Sequence, residues 1–370
     1  MDIRTYDEAE RRGRESIANW QIARLFSPVT FDKNQFPTRI RTIHGLYPLL
    51  DSMHAGRLAD FIRERGGLSQ DDMDSLASAF ANFVCFHKRA LGGNNTLLPI
   101  ASMLSQYLIY VKLRGIPNRR RVLEIGSGCG YLSFFMANDP EVVRYDKIEI
   151  TQSLYILQSM IDAYCYGDDF ENRALSPSEH AHVGLLPLES GRLYDQINTI
   201  TIDEAVPRSV LHPWWRIDDA LTRPYDVVTS NANLAEMTYP ALTYYLTAVK
   251  RCLVSDGILL IQCLGSQSGE ITRRTVLKAL MDLGFRPLVI VVGPYGDRYF
   301  PLGNLLLIGP GHPDYDAVPT SFGAPVFLSD HPVVRSVYGL DQPPGSKVSR
   351  DDLVNETLKH VQLKYPAARL

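Results

Sequence analysis

The sequence predicts an α/β fold: a mostly parallel sheet wrapped by helices, finished by an antiparallel last strand and preceded by an N-terminal helical region. Three observations carry this reading. From Arg121 onward, apolar runs of strand length alternate with segments of helical periodicity, the pattern of a parallel sheet with crossover helices. A glycine-rich turn, Gly126-Ser-Gly-Cys-Gly130, stands directly between the first strand and the first helix of that pattern. The last two strands, at 287–292 and 303–308, are joined by residues 293–302, too short a span for a crossover helix, so they pair antiparallel.

Taken in order, residues up to about 115 carry helical patterning without clear strands. Leu58-Ala-Asp-Phe61 leads to a segment at 71–83 with apolar residues at helical spacing, and a further helix at 97–113 is stopped by Gly115 and Pro117. The first unit of the sheet is a strand at 121–125, the glycine loop and a helix at 131–137. A strand at 147–150 precedes a helix at 153–164, whose Leu154, Ile156, Leu157, Met160 and Ile161 form a buried face. Residues 167–208 are polar and Pro-rich in places, with strands expected at 196–202 and 209–211. Regular order resumes with a strand at 226–230, a helix at 239–252, a strand at 257–263, a helix at 272–283 and the final strand pair. Beyond Gly311 the chain is Pro-rich until a helix at 351–362. The expected division is a helical region at 1–115, serving as a cap or a homodimer surface, a catalytic domain at 116–310 and a C-terminal extension at 311–370.

Composition narrows the function classes. With 45% hydrophobic and 21% charged residues, the 370-residue chain has enough apolar material for a core without disulfides or metals. A net charge of −3 with scattered Lys and Arg argues against a nucleic-acid partner. No apolar run approaches the roughly 20 residues of a membrane helix. The N-terminus lacks a signal-peptide pattern, so a cytoplasmic location is expected. The five cysteines include no C-x-x-C pair, and the adjacent carboxylates Asp203-Glu204 and Asp218-Asp219 have no ligand spacing, so no metal is assigned.

The chemistry centres on the glycine turn. Gly126, Gly128 and Gly130 let the backbone approach a ligand closely, and the following helix offers its N-terminal amides. A dinucleotide fingerprint would place a small residue at position 131, which is Tyr131 here. Glu149, at the end of the second strand, is placed to accept both hydroxyls of a ribose.

Glu124-Ile-Gly-Ser-Gly-Cys-Gly-Tyr131 resembles motif I of the Rossmann-like class I S-adenosylmethionine-dependent methyltransferases. The resemblance implies S-adenosylmethionine as cofactor, with Glu124 serving its methionine end and the glycines passing beneath it. It implies a binding set of Glu124, Gly126, Ser127, Gly128, Gly130, Tyr131, Glu149, Ile150 and Asn231. Two further stretches, Tyr145-Asp-Lys-Ile-Glu-Ile-Thr-Gln-Ser-Leu-Tyr-Ile-Leu-Gln158 and Thr229-Ser-Asn-Ala-Asn-Leu-Ala-Glu-Met237, are similar to the sugar O-methyltransferase family. The sequence departs from that family at Glu149, where Asp is usual, and at Thr151, where Pro is usual. The resemblance covers about residues 95–310 and implies a small-molecule acceptor, a sugar or glycosylated natural product.

Transfer to a hydroxyl needs the acceptor on the methyl axis and a base for its proton. His212, in Leu211-His-Pro-Trp-Trp-Arg216, is the favoured base, ahead of His180 and His182, with Trp214 and Trp215 expected to wall the substrate cleft. Asn233 and Glu236 follow the strand at 226–230 and are expected near the methyl position. Tyr295 and Arg298, in the loop at 294–301, suit stacking on a sugar ring or clamping a phosphate. Methyl transfer to nitrogen or carbon is the alternative, and a non-catalytic cofactor-binding partner protein is the alternative of another class.

Overall fold

The computed structural model describes residues 2–16, 31–32, 35–50, 56–92, 98–175, 207–265, 270–295, 298–322, 325–343 and 345–364. The strand expected at 196–202, the acidic pair Asp203-Glu204, His180 and His182 lie outside them.

The N-terminal region is helical among the described residues: α1 (Ile3–Ser16), α2 (Tyr47–Leu50), α3 (Leu58–Arg65), α4 (Gln70–Ala90) and α5 (Ile100–Arg114). Each boundary follows local chemistry. Ser69 and Asp72 form a reciprocal capping box at the start of α4, Gly66 takes a left-handed φ of 80° just past α3, and α5 starts behind Pro99. These helices bury their apolar faces within the chain. Tyr6, Leu49, Leu50, Phe61, Phe80, Phe83, Phe86 and Tyr107 join one core with Cys129, Tyr131, Phe134 and Tyr155 of the α/β domain.

The sheet comprises β1 (Arg121–Ile125), β2 (Arg144–Glu149), β3 (Phe170–Asn172), β4 (Ser209–Pro213), β5 (Tyr225–Asn231), β6 (Leu253–Cys263), β7 (Arg286–Tyr295), β8 (Arg298–Ile308) and β9 (Val326–Phe327). Their order is β3-β4-β2-β1-β5-β6-β8-β7-β9. The pairs from β3 to β6 are parallel, whereas β8 runs antiparallel to both β6 and β7, as the short connection predicts. The hairpin reaches further than expected, to Tyr295↔Arg298, because Gly293 and Gly303 accommodate irregularities that continue the pairing.

Crossover helices cover both faces. On one lie α5, α6 (Ser133–Met136) and α7 (Gln152–Tyr166), packed on Val122, Tyr145, Leu260 and Leu306; on the other lie α8 (Ile217–Leu221), α9 (Tyr239–Cys252) and α10 (Arg273–Asp282), packed on Leu123, Ile148 and Ile261. The C-terminal segment is part of this body. It adds β9 to the sheet edge, then lays α11 (Pro332–Tyr338) on α5 and α12 (Arg350–Lys364) on α4. The two-residue β9 and three-residue β3 are too short to announce themselves by alternation.

Candidate functional site

The chain order reverses at β1, which has β2 on one side and β5 on the other, so the loops after β1 and β5 flank a crevice at the carboxyl edge. The loop after β1 is built on three left-handed glycines: Gly126 (φ 68°), Gly128 (φ 55°) and Gly130 (φ 75°). A Cβ on Gly130 would lie 2.8 Å from Cγ of Gln158, and the Gln158 side chain in turn accepts the Ser127 hydroxyl. Gln158, buried on α7, therefore shapes the loop from below, a role that its place in a helical apolar run conceals.

Glu149 ends β2 beside this loop. One carboxylate oxygen accepts the Gly128 amide at 3.1 Å, and the other accepts the amides of Ile150 and Thr151 at 2.9 and 2.8 Å. Burial pushes its carboxyl up to about 7 despite those amides, which favour the charged form. Glu124, expected at the methionine end, is buried under the loop and accepts the Tyr145 hydroxyl. Burial raises it to about 7 as well, against the pull of Tyr145 and Lys147. Lys147 completes this hidden layer, donating to Asp162 at 3.0 Å and Ser209 at 2.7 Å and lying 4.1 Å from the Tyr145 ring centroid.

Across the crevice, the turn after β5 is locked and strained. Ala232 has a φ of 60°, costly for a residue with a Cβ, and its amide is held by Cys263 at 2.9 Å. Asn233 accepts the Ser230 hydroxyl at 2.6 Å and donates to the Ile125 carbonyl, pinning the β5 turn to the end of β1. Both ends of its side-chain amide are thereby engaged within the protein. Asn231, at the tip of β5, keeps a buried Oδ1 without a hydrogen-bond partner, and Glu236 is half-buried at the end of the same turn.

The N-terminal region grips the end of the glycine loop and the start of α7. Leu49 accepts the Cys129 thiol at 3.3 Å, and Leu50 accepts the Tyr131 hydroxyl at 2.6 Å. At the start of α7, Gln152 accepts the Ile40 amide at 2.7 Å and donates to Asp7 at 2.6 Å, while Ser153 donates to the Pro37 carbonyl at 2.5 Å.

Several expected site residues are placed elsewhere. His212 is fully buried on β4, where Nε2 meets Asp146 at 3.1 Å, so it belongs to a core cluster in which Arg144 and Tyr225 also bind Asp146. Its side chain has no exposed surface from which to act as a base. Trp214 is buried with its indole N–H on Glu10 at 3.1 Å, and Trp215 packs edge-on against Tyr6: both seat α1 rather than wall an open cleft. The Arg298 guanidinium donates to the carbonyls of Tyr338 and Gly339, satisfying the end of α11 instead of waiting for a substrate. Tyr295 stacks on Phe327, with ring centroids 4.2 Å apart. Asp218 and Asp219 are engaged with Tyr244 and Arg216.

No family model matches the chain, and no curated protein matches it. Among solved structures it is similar to the O-methyltransferase TomG from Streptomyces achromogenes in complex with SAM, at 16% identity over 64% of this chain and 89% of that one, TM-score 0.32. It is also similar to MtNAS in complex with MTA and tNA, at 11% identity over 83% and 96%, TM-score 0.35. A third is the (4+2)-cyclase SpnF, at 16% identity over 57% and 72%, TM-score 0.33. Likenesses of this strength leave the site to be read from its own residues. The sheet order, with β8 running against its neighbours, gives this chain a Rossmann-like α/β architecture.

Proposed function

We propose that the chain is an S-adenosylmethionine-dependent methyltransferase acting on a hydroxyl of a small molecule, a sugar or glycosylated natural product. The observation that carries this reading is the meeting of three left-handed glycines with the Glu149 carboxylate at the carboxyl edge, at the point where the strand order reverses. Turning the Glu149 carboxylate outward would give a ribose two acceptors and release the Gly128 amide as a donor. The cofactor supplies an electrophilic methyl on a sulfonium. This chain's residues orient it and the acceptor: Glu149 takes the ribose, the glycine loop lies beneath the ligand, Asn231 faces the transfer region, and Glu236 is the candidate base for the hydroxyl proton. The segment that grips Cys129, Tyr131 and Gln152 serves as a cap. The tests are calorimetric binding of S-adenosylhomocysteine and then methyl release from labelled S-adenosylmethionine over a panel of acceptors. Binding lost on Glu149→Ala supports the site; binding unchanged removes the ribose from it.

A further inference from the structure

The seam between α12 and α4 brings three metal-ligating side chains together. Along α12, Leu353, Thr357 and Val361 recur every fourth residue and are buried, so this stripe is the face that packs on α4. Glu356 and His360 each precede a member of the stripe, which sets them one above the other along the edge of the seam. Asp74 stands on α4 next to the buried Met73. The ligand atoms of Asp74, Glu356 and His360 all lie within 4.8 Å of one another.

His360 Nε2 stands 3.9 Å from Asp74 Oδ1 and 4.0 Å from Glu356 Oε1, too far for a hydrogen bond to either. Two carboxylates this close repel each other, and a cation among the three atoms would remove that cost. Ligands around a tetrahedral ion at about 2.0–2.1 Å stand about 3.4 Å apart, so the two spacings at His360 need to close by about 0.5–0.6 Å, a small move for side chains at a helix surface. The carboxylates are already held from behind. Lys359 donates to Oε2 of Glu356 at 2.7 Å, which leaves Oε1 toward His360, and Gln70 Nε2 donates to Oδ1 of Asp74 at 2.9 Å. Such outer hydrogen bonds orient ligands for a metal. The imidazole selects against Mg2+ and Ca2+, which take oxygen ligands, and in favour of a borderline ion such as Zn2+. With Asp74 51% exposed, water reaches the place and can complete the ion's coordination.

We propose that Asp74, Glu356 and His360 bind a Zn2+ ion that staples α12 to α4. The ion ties the C-terminal segment to the helix whose Phe83 meets Tyr131 edge-on behind the glycine loop. The site is independent of the methyltransferase reading, and its test needs no S-adenosylmethionine. The test is calorimetric titration of ZnCl2 into the metal-stripped full chain under reducing conditions, with MgCl2 as the control, joined to hydrogen exchange of α12 with and without zinc. Zn2+ should bind and slow exchange of the α12 amides, and Mg2+ should do neither. His360→Ala and Asp74→Asn should each weaken zinc binding at least about tenfold and abolish the slowing. Lys359→Ala frees Glu356 from its competing cation and should strengthen binding about two- to fivefold, an effect that zinc held elsewhere on the chain would not show. Wild-type zinc affinity in His360→Ala, α12 exchange indifferent to zinc, or Mg2+ binding as tightly as Zn2+ overturns the site.

Discussion

Asn233 lies directly against the bare face of Gly126: a Cβ there would come within 2.8 Å of Asn233 Cγ, while the Asn233 amide ties the β5 turn to the Ile125 carbonyl. The glycine loop and the turn after β5 are thus tied into one unit. Gly126→Ala imposes both a left-handed alanine, about 1–3 kcal/mol, and a collision. Its melting temperature and its affinity for S-adenosylhomocysteine should both fall. Adding Asn233→Ala should restore only the steric part of the loss. Calorimetry showing undiminished affinity in Gly126→Ala would remove the loop from the site.

Glu149 and Glu124, both raised to about 7, give the protein a pH signature. A carboxyl whose folded value exceeds its unfolded value near 4.5 favours folding when protonated. Its contribution is present below about 4.5 and is lost as pH rises to about 7, up to about 3 kcal/mol for a shift of this size. Glu124→Gln, which keeps an acceptor for Tyr145, should therefore gain melting temperature relative to wild type at pH 8 and little at pH 4. Cofactor affinity runs the other way, because the ribose hydroxyls need an ionised Glu149: binding should strengthen as pH rises through about 7. Titration of affinity against pH checks the sign.

The glycine turn and the strand lengths were legible because they are local: Gly126, Gly128 and Gly130 announce a left-handed backbone, and the short 293–302 connection forces the antiparallel pair. Misplaced residues were those whose fate depends on distant partners. His212 at a strand end next to a proline reads as a base until Asp146, two places into the neighbouring strand, claims it. Trp214 and Trp215 read as cleft walls until α1, about two hundred residues away in sequence, covers them. Arg298 reads as an anion clamp, yet α11 needs its donors. Asp74, Glu356 and His360 drew no notice because each sits on an ordinary helix face, and their two helices meet only in the fold.

Gln152 is the hinge of the proposed cap, holding Ile40 and Asp7 at once. Gln152→Ala should leave the sheet intact, lower the melting temperature by the equivalent of roughly 1–3 kcal/mol and abolish protection of the Ile40 amide in hydrogen exchange. Faster dissociation of S-adenosylhomocysteine should accompany it. Retained protection at Ile40 would mean that the segment is held by its other contacts, and a chain lacking residues 1–96 that kept full activity would end the cap reading.

A histidine and an acid, His212 and Glu236, compete for the base's role at the β4 and β5 ends, and their surroundings separate them. His212 is held neutral by burial, which outweighs the hydrogen bond and charge of Asp146 acting in the other direction. Asp146 is kept ionised, because His212 and Arg144 overcome the cost of its burial. His212→Asn should therefore lower the melting temperature, by about 1–3 kcal/mol for a broken buried network, while the folded protein keeps its turnover. Since a histidine with a depressed folded value favours folding when neutral, the wild type loses this contribution as pH falls below about 6.5, and the variant should show a flatter acid limb. Glu236 stands at the strained turn beside Ala232 and reaches the carboxyl edge, so Glu236→Gln should cut turnover by roughly 10²–10⁴-fold with cofactor affinity unchanged. The two variants are read together by turnover, S-adenosylhomocysteine affinity and melting temperature. A His212→Asn protein that melts like wild type but turns over a hundredfold more slowly would return the base to β4 and displace Glu236.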